Sequence, residues 1–212
     1  MATLPELKLT VYSDYICPFC YVGNHRLQRL RDSYDLMINW RFIEIHPETS
    51  ADGEPIEDLD YPSETWQLMM DNLRRIADEE NIPLTVPNFI TNSLDALLLS
   101  EAVKPEGKSK FYRLHEALFE SYFVEQKNIG DRNVLRQIAY DCGIDDAVID
   151  DAWSNERYRQ SLLQNYNTAR QHGIQSVPSF IFGEQVLTGV VDEDVFRKAA
   201  ELTISTSDKQ PA

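Results

Sequence analysis

Two cysteines separated by two residues, Cys17 and Cys20, are the strongest candidates for chemistry in this sequence of 212 residues. Two thiols at this spacing can form a disulfide with each other when the chain between them makes the first turn of a helix. Unpaired N–H groups at the start of a helix would also stabilise a thiolate at Cys17. We therefore predict a redox dithiol in which Cys17 is the nucleophile and Cys20 resolves the mixed disulfide.

Half of a zinc site and an inert buried pair are the two other interpretations of this spacing. A zinc site needs a second pair of closely spaced ligands, but the third cysteine, Cys142, stands alone. We expect Cys142 to be a small buried apolar group, with a third redox thiol as the alternative. We predict no metal site, and we assign no function to three histidines without ligand spacing, namely His46, His115 and His172.

The sequence around the cysteines predicts a β-α-β unit. Alternation predicts a strand over Leu7 to Tyr12, and a second strand covers Leu36 to Ile45. Between them a helix starts at Pro18, where proline is tolerated because its missing N–H would have no partner inside the helix. Strands of this length joined through a helix imply a parallel pair. The cysteine pair then lies where the first strand gives way to the helix.

A long helical region separates this unit from a second β segment. The run Pro47 to Pro62 is rich in Glu, Asp, Gly and Pro and is expected to be a loop. Ser179 to Phe182 and Gln185 to Leu187 have the spacing of a hairpin, and a last helix begins near Asp192. Between loop and hairpin, helical patterns are marked by Ser63, Ser93, the segment Phe111 to Phe119, Asp131, Asp145 or Asp146, and the segment Asn155 to Gln171.

Composition limits the classes of function. The formal charge of -15 and the isoelectric point near 4.6 disfavour nucleic acid and anionic membrane surfaces as partners. The sequence shows neither a basic and apolar leader nor the roughly 20 apolar residues needed to span a bilayer, which predicts a soluble protein. Three cysteines are an odd count and poor material for a disulfide framework. We therefore expect a reducing, cytoplasmic location.

Three stretches together resemble the DsbA-family thioredoxin-fold proteins, in particular the FrnE-like branch described as dithiol-disulfide isomerases. They are the Ser13-Asp14 lead-in, the run Cys17 to Gly23, and the segment Gly173 to Phe180. The resemblance spans nearly the whole chain. It implies an α/β thioredoxin-like fold with an α-helical insertion, in which residues 1–50 and 173–205 form a discontinuous thioredoxin-like domain, residues 51–172 the insertion and residues 206–212 a polar tail.

The same resemblance assigns a substrate-binding role to Val177 and Pro178. In that family the proline matching Pro178 is cis and faces the cysteines, and the backbone before it pairs with substrate as an added strand. A cis proline has no N–H to donate and turns the chain sharply, which exposes the preceding backbone to a partner.

Three further residues are predicted to support the dithiol, namely Pro18, Phe19 and Asp14. Phe19 stands where the strongly oxidising periplasmic members of the family carry His. A phenyl ring supplies neither positive charge nor a hydrogen-bond donor, so we expect a less oxidising disulfide, which favours reduction or isomerisation. For Asp14 two roles stay open, either a helix-entry or loop residue or a carboxylate that helps to move the proton of Cys20.

Two rival functions remain. Glutathione-dependent isomerases and transferases of the 2-hydroxychromene-2-carboxylate isomerase and kappa type share this fold but typically carry Ser where this chain has Cys17. A non-catalytic peptide-binding module or chaperone would not need the cysteines. For the oxidoreductase we expect a disulfide-containing protein or a small-molecule thiol as substrate and a cellular reductant as partner. We expect no organic cofactor or metal, and glutathione is the candidate redox partner.

Overall fold

A four-stranded mixed sheet lies at the centre of the computed structural model, which describes residues 4–58 and 63–207. Its strands are β1 (Glu6–Ser13), β2 (Asp35–Phe42), β5 (Ser179–Phe182) and β6 (Gln185–Thr188), in the order β2-β1-β5-β6. β1 runs parallel to β2 and antiparallel to β5, and β5 and β6 form the predicted hairpin. These pairings confirm the predicted parallel β-α-β unit and the α/β thioredoxin-like class.

Helices dominate the segment between β2 and β5, as the sequence predicts. This segment contains α2 (Ser63–Glu79), α3 (Leu94–Val103), α4 (Lys108–Phe123), α5 (Arg132–Asp141), α6 (Asp146–Ser154) and α7 (Glu156–Gln171). Outside it, α1 (Pro18–Gln28) joins β1 to β2, and α8 (Glu193–Ser207) follows β6. Asp131 and Asn155 cap α5 and α7, each accepting a hydrogen bond from a backbone N–H two residues later. None of the helices in the described ranges is both long and apolar enough to cross a bilayer.

The main hydrophobic core joins the sheet to the helical region. Tyr15, directly before the cysteine loop, packs against Phe42 of β2 and Phe119 of α4, with ring centroids 5.2 and 4.9 Å away. His115 of α4 is fully buried in this cluster, with its ring 4.2 Å from that of Trp40. The turn that carries the cysteines therefore rests on side chains from both parts of the chain.

Three details differ from the sequence predictions. Within the expected loop, Glu54–Pro55 form a strand, β3, that pairs with β4 (Phe89–Ile90); residues 59–62 of that loop lie outside the described residues. β2 ends at Phe42, before Ile45, because its partner β1 ends opposite it at Ser13; the backbone N–H of Ile45 donates to the Asp14 carboxylate instead. The last helix reaches Ser207, into the expected tail, whose residues 208–212 also lie outside the described residues.

Candidate active site

Cys17 is the residue that caps the N-terminus of α1. Its backbone is extended, with φ of -86° and ψ of 112°, and its Sγ accepts a hydrogen bond from the backbone N–H of Cys20 at 3.4 Å. On its other side, the thiol donates to the carbonyl oxygen of Val177 at 3.8 Å. The structure thus brings together Cys17, Cys20 and Val177, which the sequence analysis selected from segments 160 residues apart.

The two thiols differ in their position relative to the cleft. Both cysteines are free and buried, but Cys17 lines the cleft described below whereas Cys20 does not. Burial raises the pKa of the Cys20 thiol well above its usual value, and the adjacent Cys17 raises it further. Hydrogen bonds from Ser13 and the Asp14 backbone act in the opposite direction without offsetting burial. Cys20 is therefore held as a protonated thiol behind Cys17.

The segment around Pro178 packs closely on α1. The Val177–Pro178 peptide bond is cis. Gly23 allows the close approach, because a Cβ at this position would lie 3.1 Å from the Phe180 ring and 3.4 Å from Pro178 Cγ. A larger side chain at position 23 would displace the segment that faces Cys17.

Asp14 connects three parts of the chain through its carboxylate. One oxygen accepts from the backbone N–H of Ile16 at 3.3 Å, and the other accepts from the N–H of Ile45 and the hydroxyl of Ser93, both at 2.9 Å. These contacts support the loop role for Asp14. Complete burial nevertheless raises the pKa of this carboxyl to about 6, because desolvation outweighs the three donors.

The raised pKa of Asp14 predicts a pH-dependent stability. Between pH 4 and 6 the native carboxyl holds a proton that the unfolded chain has released, so stability falls as the pH rises through this range. Compared with Asp14→Asn, which does not titrate, the wild-type protein should lose on the order of 3 kcal/mol of unfolding free energy between pH 4 and 7. Urea unfolding followed by tryptophan fluorescence measures this difference, and a constant difference between the two proteins would contradict it.

A cleft of about 460 Å³ opens beside Cys17. Phe19 and Val177 line its wall together with Cys17, Trp66 and Met69 of α2 contribute further apolar surface, and Tyr166 of α7 also lines it. The charged residues among its lining are Glu44 and Arg170, with His46 as a further ionisable group. The site can therefore hold a small or extended, largely apolar partner against the Cys17 sulfur.

Sequence reasoning missed Ser93 as a partner of Asp14 and missed Met69, Tyr166 and Arg170 in the cleft. The i, i+4 spacing of Tyr166 and Arg170 on α7 was the available signal, since it places both on one helix face. Cys142 lies at the C-terminal end of α5, away from the cleft lining, and burial raises the pKa of its thiol. Among the described residues, no cluster of three or more His, Cys, Asp or Glu side chains could hold a metal ion.

A family model for the DSBA-like thioredoxin domain matches residues 8–201. The chain belongs to this family. A curated relative of this DSBA-like chain is the uncharacterized protein YwbO of Bacillus subtilis (strain 168), which is 29% identical over 197 residues and covers 91% of this chain and 95% of its own.

Solved structures share the DSBA-like fold over nearly the whole chain at low identity. The probable DsbA oxidoreductase SCO1869 from Streptomyces coelicolor gives a TM-score of 0.84 at 20% identity, covering 98% of this chain and 93% of its own. A 2-hydroxychromene-2-carboxylate isomerase gives 0.72 at 17% identity, with 97% and 100% covered. The cytosolic disulfide reductase DsbM from Pseudomonas aeruginosa, solved with GSH, gives 0.65 at 16% identity, with 96% and 98% covered.

Proposed function

We propose that this DSBA-like protein is a thiol-disulfide oxidoreductase that reduces or rearranges substrate disulfides with the Cys17-Pro18-Phe19-Cys20 pair. The observation that carries the proposal is the asymmetric placement of two neighbouring thiols relative to the cleft. Cys17 lines the cleft at a helix N-terminus, and Cys20 lies buried directly behind it. A nucleophile needs access to substrate, whereas a resolving thiol needs access only to the mixed disulfide.

The reaction begins when the Cys17 thiolate attacks one sulfur of the substrate disulfide. The substrate S–S bond breaks, one substrate half leaves as a thiolate that takes up a proton, and a mixed disulfide with Cys17 forms. Cys20 then loses its proton and attacks the Cys17 sulfur, which releases the second substrate thiol and leaves an oxidised enzyme. In isomerisation, a thiol of the substrate itself displaces Cys17 instead, so no net electrons are transferred.

Val177 and Pro178 are proposed to hold the substrate backbone. The carbonyl oxygen of Val177 already lies within 3.8 Å of the Cys17 sulfur, so an extended chain bound along this segment would pass next to the nucleophile. Phe19, in the cleft wall, adds apolar contact surface and no charge.

Glutathione is the redox partner we propose, in the reducing environment of the cytoplasm. The cleft volume of about 460 Å³ suits a tripeptide thiol, and the similar DsbM is a cytosolic disulfide reductase solved with GSH. Reduction of the oxidised enzyme would consume two glutathione thiols and release one glutathione disulfide.

The reduction potential of the Cys17 and Cys20 pair tests this function. Equilibration in glutathione buffers should show a reversible two-electron transition, nearer to about -200 mV or below than to the about -120 mV of a strong periplasmic oxidant. Cys17→Ser should abolish the transition. A potential like that of the strong oxidants would overturn the assignment as reductase or isomerase, although not the redox role of the pair.

A glutathione-dependent isomerase is the second candidate, because an apolar cleft of this size could also hold a small aromatic substrate. It predicts that the two cysteines never form a disulfide in glutathione buffers. The same titration therefore separates the two functions.

A further inference from the structure

Arg170 is an exposed cation in the wall of the cleft. It lies in the last turn of α7 and lines the same cavity as Cys17 and Val177. No carboxylate or other acceptor contacts its guanidinium among the residues that the structure describes. Several other arginines of this acidic chain are held in ion pairs, namely Arg26, Arg29, Arg132 and Arg136.

The other acidic or basic side chains of the cleft, Glu44 and His46, already have partners. Glu44 accepts a hydrogen bond from the side chain of Asn92 at 2.9 Å, and His46 contacts Glu48 at 3.0 Å. One turn before Arg170, Tyr166 presents an exposed ring to the cavity. Arg170 is thus a charge available to a bound molecule, beside apolar surface that can hold the rest of it.

We propose that Arg170 is a specificity-determining residue that binds a carboxylate carried by the substrate close to the disulfide under attack. A guanidinium presents paired N–H donors that match a carboxylate in a bidentate geometry. The net charge of -15 repels anions at a distance, so Arg170 would act at contact, inside the cleft. The inference rests on the proposed oxidoreductase function and names its substrates as disulfides with an acidic group near the sulfur.

Arg170 also stabilises the end of α7, and the test must distinguish this structural role from the binding of a substrate carboxylate. Positive charge in the last turn stabilises a helix through its macrodipole. That effect would not depend on the charge of the substrate, so the test compares substrates rather than variants alone.

Three symmetrical disulfides of similar size provide the comparison: dithiodipropionate, which is anionic, bis(2-hydroxyethyl) disulfide, which is neutral, and cystamine, which is cationic. Each oxidises the reduced protein, forming the Cys17–Cys20 disulfide and two substrate thiols. The second-order rate constant is measured by acid quenching, thiol alkylation and mass spectrometry. The variant is Arg170→Glu. Arg113→Glu is the control, because Arg113 is exposed, does not line the cleft and gives the same change in net charge.

We expect Arg170→Glu to slow the reaction with dithiodipropionate about tenfold relative to the neutral disulfide, and to speed that with cystamine severalfold, since reversal replaces one attraction by one repulsion. Arg113→Glu should leave unchanged both ratios of rate constants, that of dithiodipropionate to the neutral disulfide and that of cystamine to the neutral disulfide. The proposal would be overturned if these ratios were the same in Arg170→Glu as in the wild-type protein, or if they changed equally in Arg170→Glu and Arg113→Glu. If wild-type protein fails to react even with the neutral disulfide, the oxidoreductase function itself is wrong.

Discussion

Cys17→Ser is expected to reduce the rate of disulfide reduction to that of the uncatalysed exchange. A serine hydroxyl does not ionise near neutral pH, so no nucleophile would remain in the cleft. Cys20→Ser should instead leave the first step intact and block resolution. The mixed disulfide between Cys17 and the substrate should then accumulate, and mass spectrometry under non-reducing conditions measures it.

Cys142→Ser is the matched control for both variants, since it makes the same atomic change at a thiol that is buried outside the cleft lining. Its turnover should equal that of the wild-type protein. Retention of disulfide-reducing activity in Cys17→Ser would disprove the assigned nucleophile. Accumulation of the mixed disulfide in Cys17→Ser rather than in Cys20→Ser would reverse the two roles.

The second large effect concerns acid stability and arises from His115. Its Nδ1 lies 2.9 Å from the hydroxyl of Tyr15, which also accepts a hydrogen bond from Ser100. Its Nε2 is buried and has no hydrogen-bond partner among the described residues. Burial, with a smaller contribution from Lys104, lowers the pKa of this imidazole to about 3.

Below pH 6.5 His115 therefore binds a proton in the unfolded chain but stays neutral in the native protein. The free energy of unfolding thus falls as the pH falls from about 6.5 towards 3. Relative to His115→Gln, the wild-type protein should lose roughly 1.4 kcal/mol of unfolding free energy per pH unit in this range, or about 3 kcal/mol at pH 4.5. Urea unfolding at a series of pH values measures this slope.

Tyr15→Phe is the control, because it removes the hydrogen bond to His115 but keeps the imidazole buried; it should retain the acid-dependent slope. A slope of equal size in His115→Gln would exclude His115 as its source. Asp14 acts in the opposite direction between pH 4 and 6. The wild-type curve alone will thus show partial cancellation, which only the single variants can separate.

The local elements, and the position of the cysteine pair at the start of α1, could be predicted from sequence because their signals are local. Alternation identified β1, and a proline beside a cysteine marked the start of α1. The two-residue ladder between β3 and β4 is too short to leave a periodic pattern. Partners distant in sequence were also beyond reach: Ser93 binds Asp14 across 79 residues, and nothing in the spacing of His115 indicated that it would be enclosed by aromatic rings.

The aromatic cluster that packs against the cysteine loop affects whether the sheet and α1 could fold without the helical region. Phe42 is fully buried, its ring neighbours those of Tyr15 and of Phe111 and His115 in α4, and Lys104 lies over it. A shortened chain lacking residues 51–172 would lose the α4 side of this cluster and leave Phe42 and Tyr15 facing water. We therefore expect that the turn carrying Cys17 cannot keep its structure without the helical region, because part of its packing comes from α4.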